Sequence, residues 1–209
     1  MHDVEYDEQL KLHPEPYFRQ NLLLSKDLSI FYGDRCVANG ISFTLNRGDR
    51  IALVGRNGCG KSSLLKLLIG QPIAHTGTLE IGSRLTVSYV PQDMSFLSGS
   101  ADDFAAESEI DITLFKTILR KLDFKRTQFT KDMSEFSMGQ KKKVLLARSL
   151  CQRANLYIWD EPLNYIDVIS RLQIETLILE YKPTMLFVEH DEAFVNDIAT
   201  KVCRISLNQ

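Results

Sequence analysis

At 209 residues, 44% hydrophobic and 25% charged, the chain has the composition of a globular protein large enough for one α/β domain with an insertion. A net charge of -2 excludes any global electrostatic pull toward nucleic acid or an anionic membrane. Four scattered cysteines without a C-x-x-C pair argue against a zinc site and for free thiols in a reducing cytoplasm, and the sequence shows neither a signal peptide nor an apolar run approaching the roughly 18 residues of a membrane span.

In chain order, residues 1–20 are polar and carry Pro14 and Pro16, which reads as a linker remnant or frayed N-terminus rather than core. Residues 22–30 read as a strand, Tyr32 and Gly33 as a turn, and 41–45 as a second, half-buried strand. A turn at 46–49 leads into the apolar strand 50–54, the glycine loop 55–62 and a helix over 63–69. Residues 70–77 read as loop, 78–81 and 85–90 as short strands, and the acidic stretch 98–111 as a solvated connection. Helical spacing recurs over 112–124, so about 93–136 reads as a mostly helical insertion. A helix over 138–150 follows, with Lys141, Lys142 and Lys143 read as a solvated face. Strand 156–159, helix 168–181, strand 184–188, helix 192–199 and strand 201–207 complete the chain. Strands alternating with helices predict a mostly parallel sheet wrapped by helices.

Two stretches carry chemistry. Gly55-Arg56-Asn57-Gly58-Cys59-Gly60-Lys61-Ser62 fits G-x-x-x-x-G-K-S between a strand and a helix. Glycines let backbone N–H groups converge on an anion at a helix N-terminus, Lys61 reaches β- and γ-phosphates, and Ser62 suits Mg²⁺. The second stretch is the apolar strand ending Asp160-Glu161. A carboxylate there suits Mg²⁺, and the next one faces an attacking water. Cys59 reads as a small residue required by the loop rather than a redox site.

Taken together, these residues resemble the ATP-binding-cassette ATPases over nearly all of 22–207. Besides the two stretches above, the resemblance rests on Tyr32, on Gln92 in Val90-Pro91-Gln92, on Ser137-Met138-Gly139-Gln140, on Asn164-Tyr165-Ile166-Asp167 and on His190. It implies an α/β phosphate-loop NTPase cassette over 21–209, with a mostly parallel core sheet, an antiparallel β subdomain and a helical arm. It implies ATP and Mg²⁺ as cofactors. Tyr32 would stack on adenine, and residues 55–62 with Ser63 would hold the phosphates. Ser62, Gln92 and Asp160 would serve the metal, and Gln92, Glu161 and His190 the hydrolysis. Ser137, Gly139 and Gln140 would close on the ATP of a second cassette, in the same full-length chain or a homodimer. Met138 departs from the glycine usual there. Asp160-Glu161-Pro162-Leu163-Asn164-Tyr165 and Glu189-His190-Asp191 resemble the second cassette of ABC-F antibiotic-resistance proteins, which implies cytoplasmic action on the ribosome. The alternatives are the ATP-binding subunit of a membrane transporter and a nucleotide-dependent binding module.

Overall fold

A computed structural model describes residues 10–206. In chain order its elements are β1 (His13–Pro14), β2 (Asn21–Tyr32), β3 (Arg35–Asn46), β4 (Arg50–Val54), α1 (Lys61–Leu68), β5 (Ala74–Ile81), β6 (Val87–Val90), α2 (Ala101–Glu107), α3 (Ile112–Lys121), α4 (Met138–Cys151), β7 (Arg153–Ala154), β8 (Leu156–Asp160), α5 (Val168–Tyr181), β9 (Met185–Val188), α6 (Glu192–Ile198) and β10 (Lys201–Arg204). Two 3₁₀ turns, Arg126–Gln128 and Met133–Glu135, join α3 to α4.

The centre is a five-stranded, all-parallel sheet in the order β10-β4-β9-β8-β6. Strands covered on both faces must be apolar throughout, and β8 and β9 are buried at every position. Side chains alternate between faces with period two. Tyr157, Trp159, Met185 and Phe187 join one core with α2 to α6. Leu156, Ile158, Leu186 and Val188 join the other, with α1 and the antiparallel sheet β3-β2-β5.

Four expectations differ from the fold. Within the stretch read as a frayed end, Leu10, Leu12 and Tyr17 are buried, and β1 pairs in parallel with β7; the surrounding polarity hid three core side chains, while residues 1–9 lie outside the described residues. The acidic stretch contains α2. Ser100 Oγ caps it by accepting the Asp103 N–H at 3.0 Å, and Ala101 and Ala105 are buried; Asp102 and Asp103 in its first turn suit the helix dipole. β5 begins at Ala74, inside the stretch read as loop, and a Cβ on Gly77 would meet the Asp27 carbonyl oxygen at 2.3 Å; the glycine sits at the register shift between β5 and β2 rather than marking a turn. β10 ends at Arg204 rather than 207, which lies outside the described residues.

β10 lies against β4 along its length, and Ile205 continues the contact by donating its N–H to Val54 O at 2.8 Å. No helix among the described residues is long and apolar enough to cross a membrane.

Candidate functional site

The chain leaves β4 into the glycine loop and enters α1 through Gly60, which is left-handed with φ +87. A Cβ there would lie 2.7 Å from both Ala38 Cβ and Val37 O, so β3 presses the loop into shape from outside. Lys61 is 6% exposed, and its Nζ donates to Gly55 O at 2.8 Å and Arg56 O at 3.1 Å. The Cys59 side chain is buried, and its N–H is committed to Arg56 O at 3.2 Å. The loop therefore presents the start of α1, with its unsatisfied N–H groups, beside an ammonium.

Asp160 closes β8 and is buried. Burial pushes its carboxyl pKa up, while a hydrogen bond from the Ser62 side chain pulls it down. Its Oδ1 has no hydrogen-bond partner. A buried carboxylate oxygen without a donor, beside a hydroxyl at a helix start, is an oxygen set that fits Mg²⁺.

The next residue, Glu161, is held in the left-handed region at φ +49, which a non-glycine residue adopts only where its surroundings enforce it. Its side chain collects three neighbours. Gln92 Nε2 donates to Oε2 at 2.9 Å, Asn164 Nδ2 donates to Oε2 at 2.6 Å, and His190 Nε2 lies 3.3 Å from Oε1. Gln92 follows β6 and His190 follows β9, so the ends of three parallel strands meet on one carboxylate.

A cavity of about 640 Å³ joins this cluster to the loop, lined among others by Asn57, Lys61, Ser62, Gln92, Glu161 and His190. Arg35 and Val37 of β3 also line it. Tyr32 lies on the same hairpin, half exposed, but outside that lining. Ser137, Gly139 and Gln140 are not brought to this chain's own loop. Ser137 Oγ accepts the Gln140 N–H at 3.3 Å while Gln140 Oε1 accepts the Ser137 N–H at 2.9 Å, a capping box that starts α4. Met138 is 47% exposed and lines a second cavity of about 490 Å³, which shares Gln92, Glu161 and Asn164 with the first.

The lysine run departs from the expected solvated face. Lys142 is 1% exposed, and Lys143 Nζ pairs with Asp167 Oδ2 at 2.6 Å. The signal available in the sequence is phase: 142, 145, 146 and 149 share one helical face, and Leu145, Leu146 and Ser149 are buried. Glu189, which the sequence offers only as part of the Glu189-His190-Asp191 stretch, has a structural role of its own. Its Oε1 accepts the His190 N–H at 3.0 Å and its Oε2 the Leu163 N–H at 3.2 Å, tying the two loops that flank Glu161. Burial pushes its carboxyl pKa up against those two bonds. Among the described residues no cluster of His, Cys, Asp and Glu could by itself hold a metal ion.

Residues 38–164, more than half of the chain, match the family described as ABC transporter. The protein YdiF of Bacillus subtilis is 36% identical over 193 residues, 88% of this chain and 30% of that protein. The ribosome protection protein VmlR of the same organism is 29% identical over 180 residues, 85% of this chain and 33% of that protein. The chain thus spans about a third of these relatives' length. A solved ATP binding subunit of an ABC transporter superimposes with a TM-score of 0.73 over 89% of this chain and 88% of that one, at 23% identity, a likeness of fold. A parallel sheet whose strand ends gather a glycine loop and paired acids, matched over most of its length to one family, leads to one assignment: the chain belongs to the ABC transporter family, as an ATP-binding cassette.

Proposed function

We propose that the chain binds ATP with Mg²⁺ and hydrolyses it to ADP and phosphate. The observation that carries this reading is the convergence of Gln92, Asn164 and His190 on the Glu161 carboxylate, at the rim of the cavity that holds Lys61 and Ser62. In this reading the first turn of α1 and Lys61 bind the phosphates, with residues 55–60 and Ser63 shaping the cradle. Ser62, Asp160 and Gln92 hold Mg²⁺, which neutralises phosphate charge when bound. Glu161 orients the attacking water and accepts its proton, and His190 stabilises the transferring group. Tyr32 lies against adenine.

Ser137, Gly139 and Gln140 then face outward to serve the nucleotide of a second cassette, in a longer chain or a second copy. The partner beyond it is the ribosome, with antibiotic resistance as the outcome. That finer reading is supported by the Asn164-Tyr165-Ile166-Asp167 and Glu189-His190-Asp191 stretches and by the similarity to a ribosome protection protein.

The test is Glu161→Gln. It is expected to retain binding of a fluorescent ATP analogue and to lower phosphate release by about 10²–10⁴-fold. Release at the parent rate would refute the assignment. Sedimentation with ribosomes in ATP supports the ribosomal branch; recovery with membranes supports the transporter subunit instead.

A further inference from the structure

Lys142 is a cation with almost no contact with solvent. Its Nζ lies 3.3 Å from Pro91 O and 3.3 Å from Asp160 O. These carbonyls occupy equivalent places. The β6–β8 register ends at the pair Val90 and Trp159, so Pro91, just past β6, and Asp160, the last residue of β8, each follow a member of that pair. Proline has no N–H and cannot extend a ladder. Where backbone pairing between the strands stops, the lysine takes it up and spans both chains.

The residues that follow are Gln92 and Glu161, whose side chains meet at 2.9 Å. Burial lowers the pKa of the ammonium, and the carboxylates of Asp160, Glu161 and Glu189 offset that only in part. The cation is carried by α4, which Ser137 caps and whose first turn holds Gly139. We propose that Lys142 is a positioning residue: its ammonium pins the Pro91 and Asp160 carbonyls and so sets the span across which Gln92 reaches Glu161. Its kinetic consequence rests on the hydrolysis reading above; the clamp itself does not. A shift of α4 along its axis would be transmitted to Gln92 and Glu161 together.

The experiment compares Lys142→Met, which keeps the stem and loses every donor, with Lys142→Arg, which keeps charge and donors. Amide hydrogen exchange is followed by mass spectrometry in the whole chain. Lys142→Met is expected to accelerate exchange over 88–95 and 158–165 together by about tenfold, the loss of one hydrogen bond to a charged group. Exchange over 192–198 stays at the parent rate, and Lys142→Arg restores the two segments. In phosphate release, kcat falls by about tenfold while KM for ATP holds within about twofold. Parent-like exchange in both segments, a change in one alone, or unchanged kcat overturns the proposal. Should the Met variant fail to fold by circular dichroism, Lys142→Gln, which keeps a single amide donor, is read by the same criteria. Absence of turnover in the parent chain at every protein concentration, including those at which two cassettes pair, would refute hydrolysis, and exchange would still decide the clamp.

Discussion

Gln92 donates its side-chain amide to Glu161 across 2.9 Å, joining the ends of two adjacent parallel strands. The bond is one of three polar contacts on a carboxylate whose backbone is itself constrained at φ +49. Gln92→Ala is expected to lower kcat by about tenfold, the equivalent of one bond to a charged group, with KM for ATP unchanged. Gln92→Glu is expected to be worse than Ala, because it brings two carboxylates into contact and favours protonation of one. Steady-state phosphate release across both variants checks the order.

Gly60 and Gly58 separate two costs. Both are left-handed, at φ +87 and φ +79. Only Gly60 also has neighbours in the way, at 2.7 Å. Gly58→Ala is expected to cost about 1 kcal/mol, from backbone strain alone. Gly60→Ala adds steric displacement of β3 and should reach about 3 kcal/mol, with weakened nucleotide binding. Thermal melting and analogue titration of both variants test the difference.

The start of α4 offers a second contrast. A Cβ on Gly139 would meet Tyr165 O at 2.6 Å, whereas the Met138 side chain is half exposed. Gly139→Ala is expected to destabilise by about 1–3 kcal/mol as the loop after β8 shifts. Met138→Gly is expected to cost no more than about 1 kcal/mol, the helix propensity difference. Urea unfolding distinguishes them, and so separates packing at 139 from surface shape at 138.

Acid sensitivity should trace in part to Arg171. Its Nη1 meets Asp191 Oδ2 at 2.8 Å and its Nε meets Glu175 Oε1 at 2.8 Å. The Arg171 guanidinium, with the Phe194 N–H, holds the Asp191 carboxyl well below the usual carboxylate range. The folded state then binds fewer protons than the unfolded one between the two values, so this contribution is fully present above about pH 4 and is lost progressively as pH falls below it through the lowered folded-state value. Arg171→Leu is expected to be less stable at neutral pH by a modest amount, since the Arg171–Asp191 pair is partly exposed to solvent. The stability difference between parent and variant should shrink steadily as pH falls below about 4; a difference that stays constant throughout the acid range would contradict the assignment.

Much of the architecture was legible because it follows from short-range rules. The glycine spacing at 55–60 marks a tight anion-type loop, and apolar runs at 156–159 and 185–188 mark doubly covered strands. Asp160 and Glu161 could be named because they close an apolar strand, where parallel sheets place their ligands, whereas Gln92 and His190 could be named only through the family resemblance. Residues whose partners are distant in sequence were not legible. Lys142 looks like surface until Pro91 and Asp160 are placed beside it. Glu189 reads as an ordinary acid until the Leu163 and His190 amides turn toward it. Leu12 and Tyr17 sit among prolines and charges, and only the fold supplies the surface that buries them.

The contact between Ile205 and the loop has a consequence for the order of events in synthesis. Ile205 N–H is bound to Val54 O, and its carbonyl oxygen stands 2.3 Å from where a Cβ on Gly55 would be. Arg50 likewise reaches Thr200, 150 residues later. On a ribosome adding about 5–20 residues per second, this interval lasts on the order of ten seconds. Until β9 emerges the nascent chain carries the glycine loop on a strand with both edges unpaired, and from then until β10 emerges one edge stays open. The loop therefore gains its last backbone neighbour only when Ile205 emerges, and the segment most exposed to mispairing until then is β4.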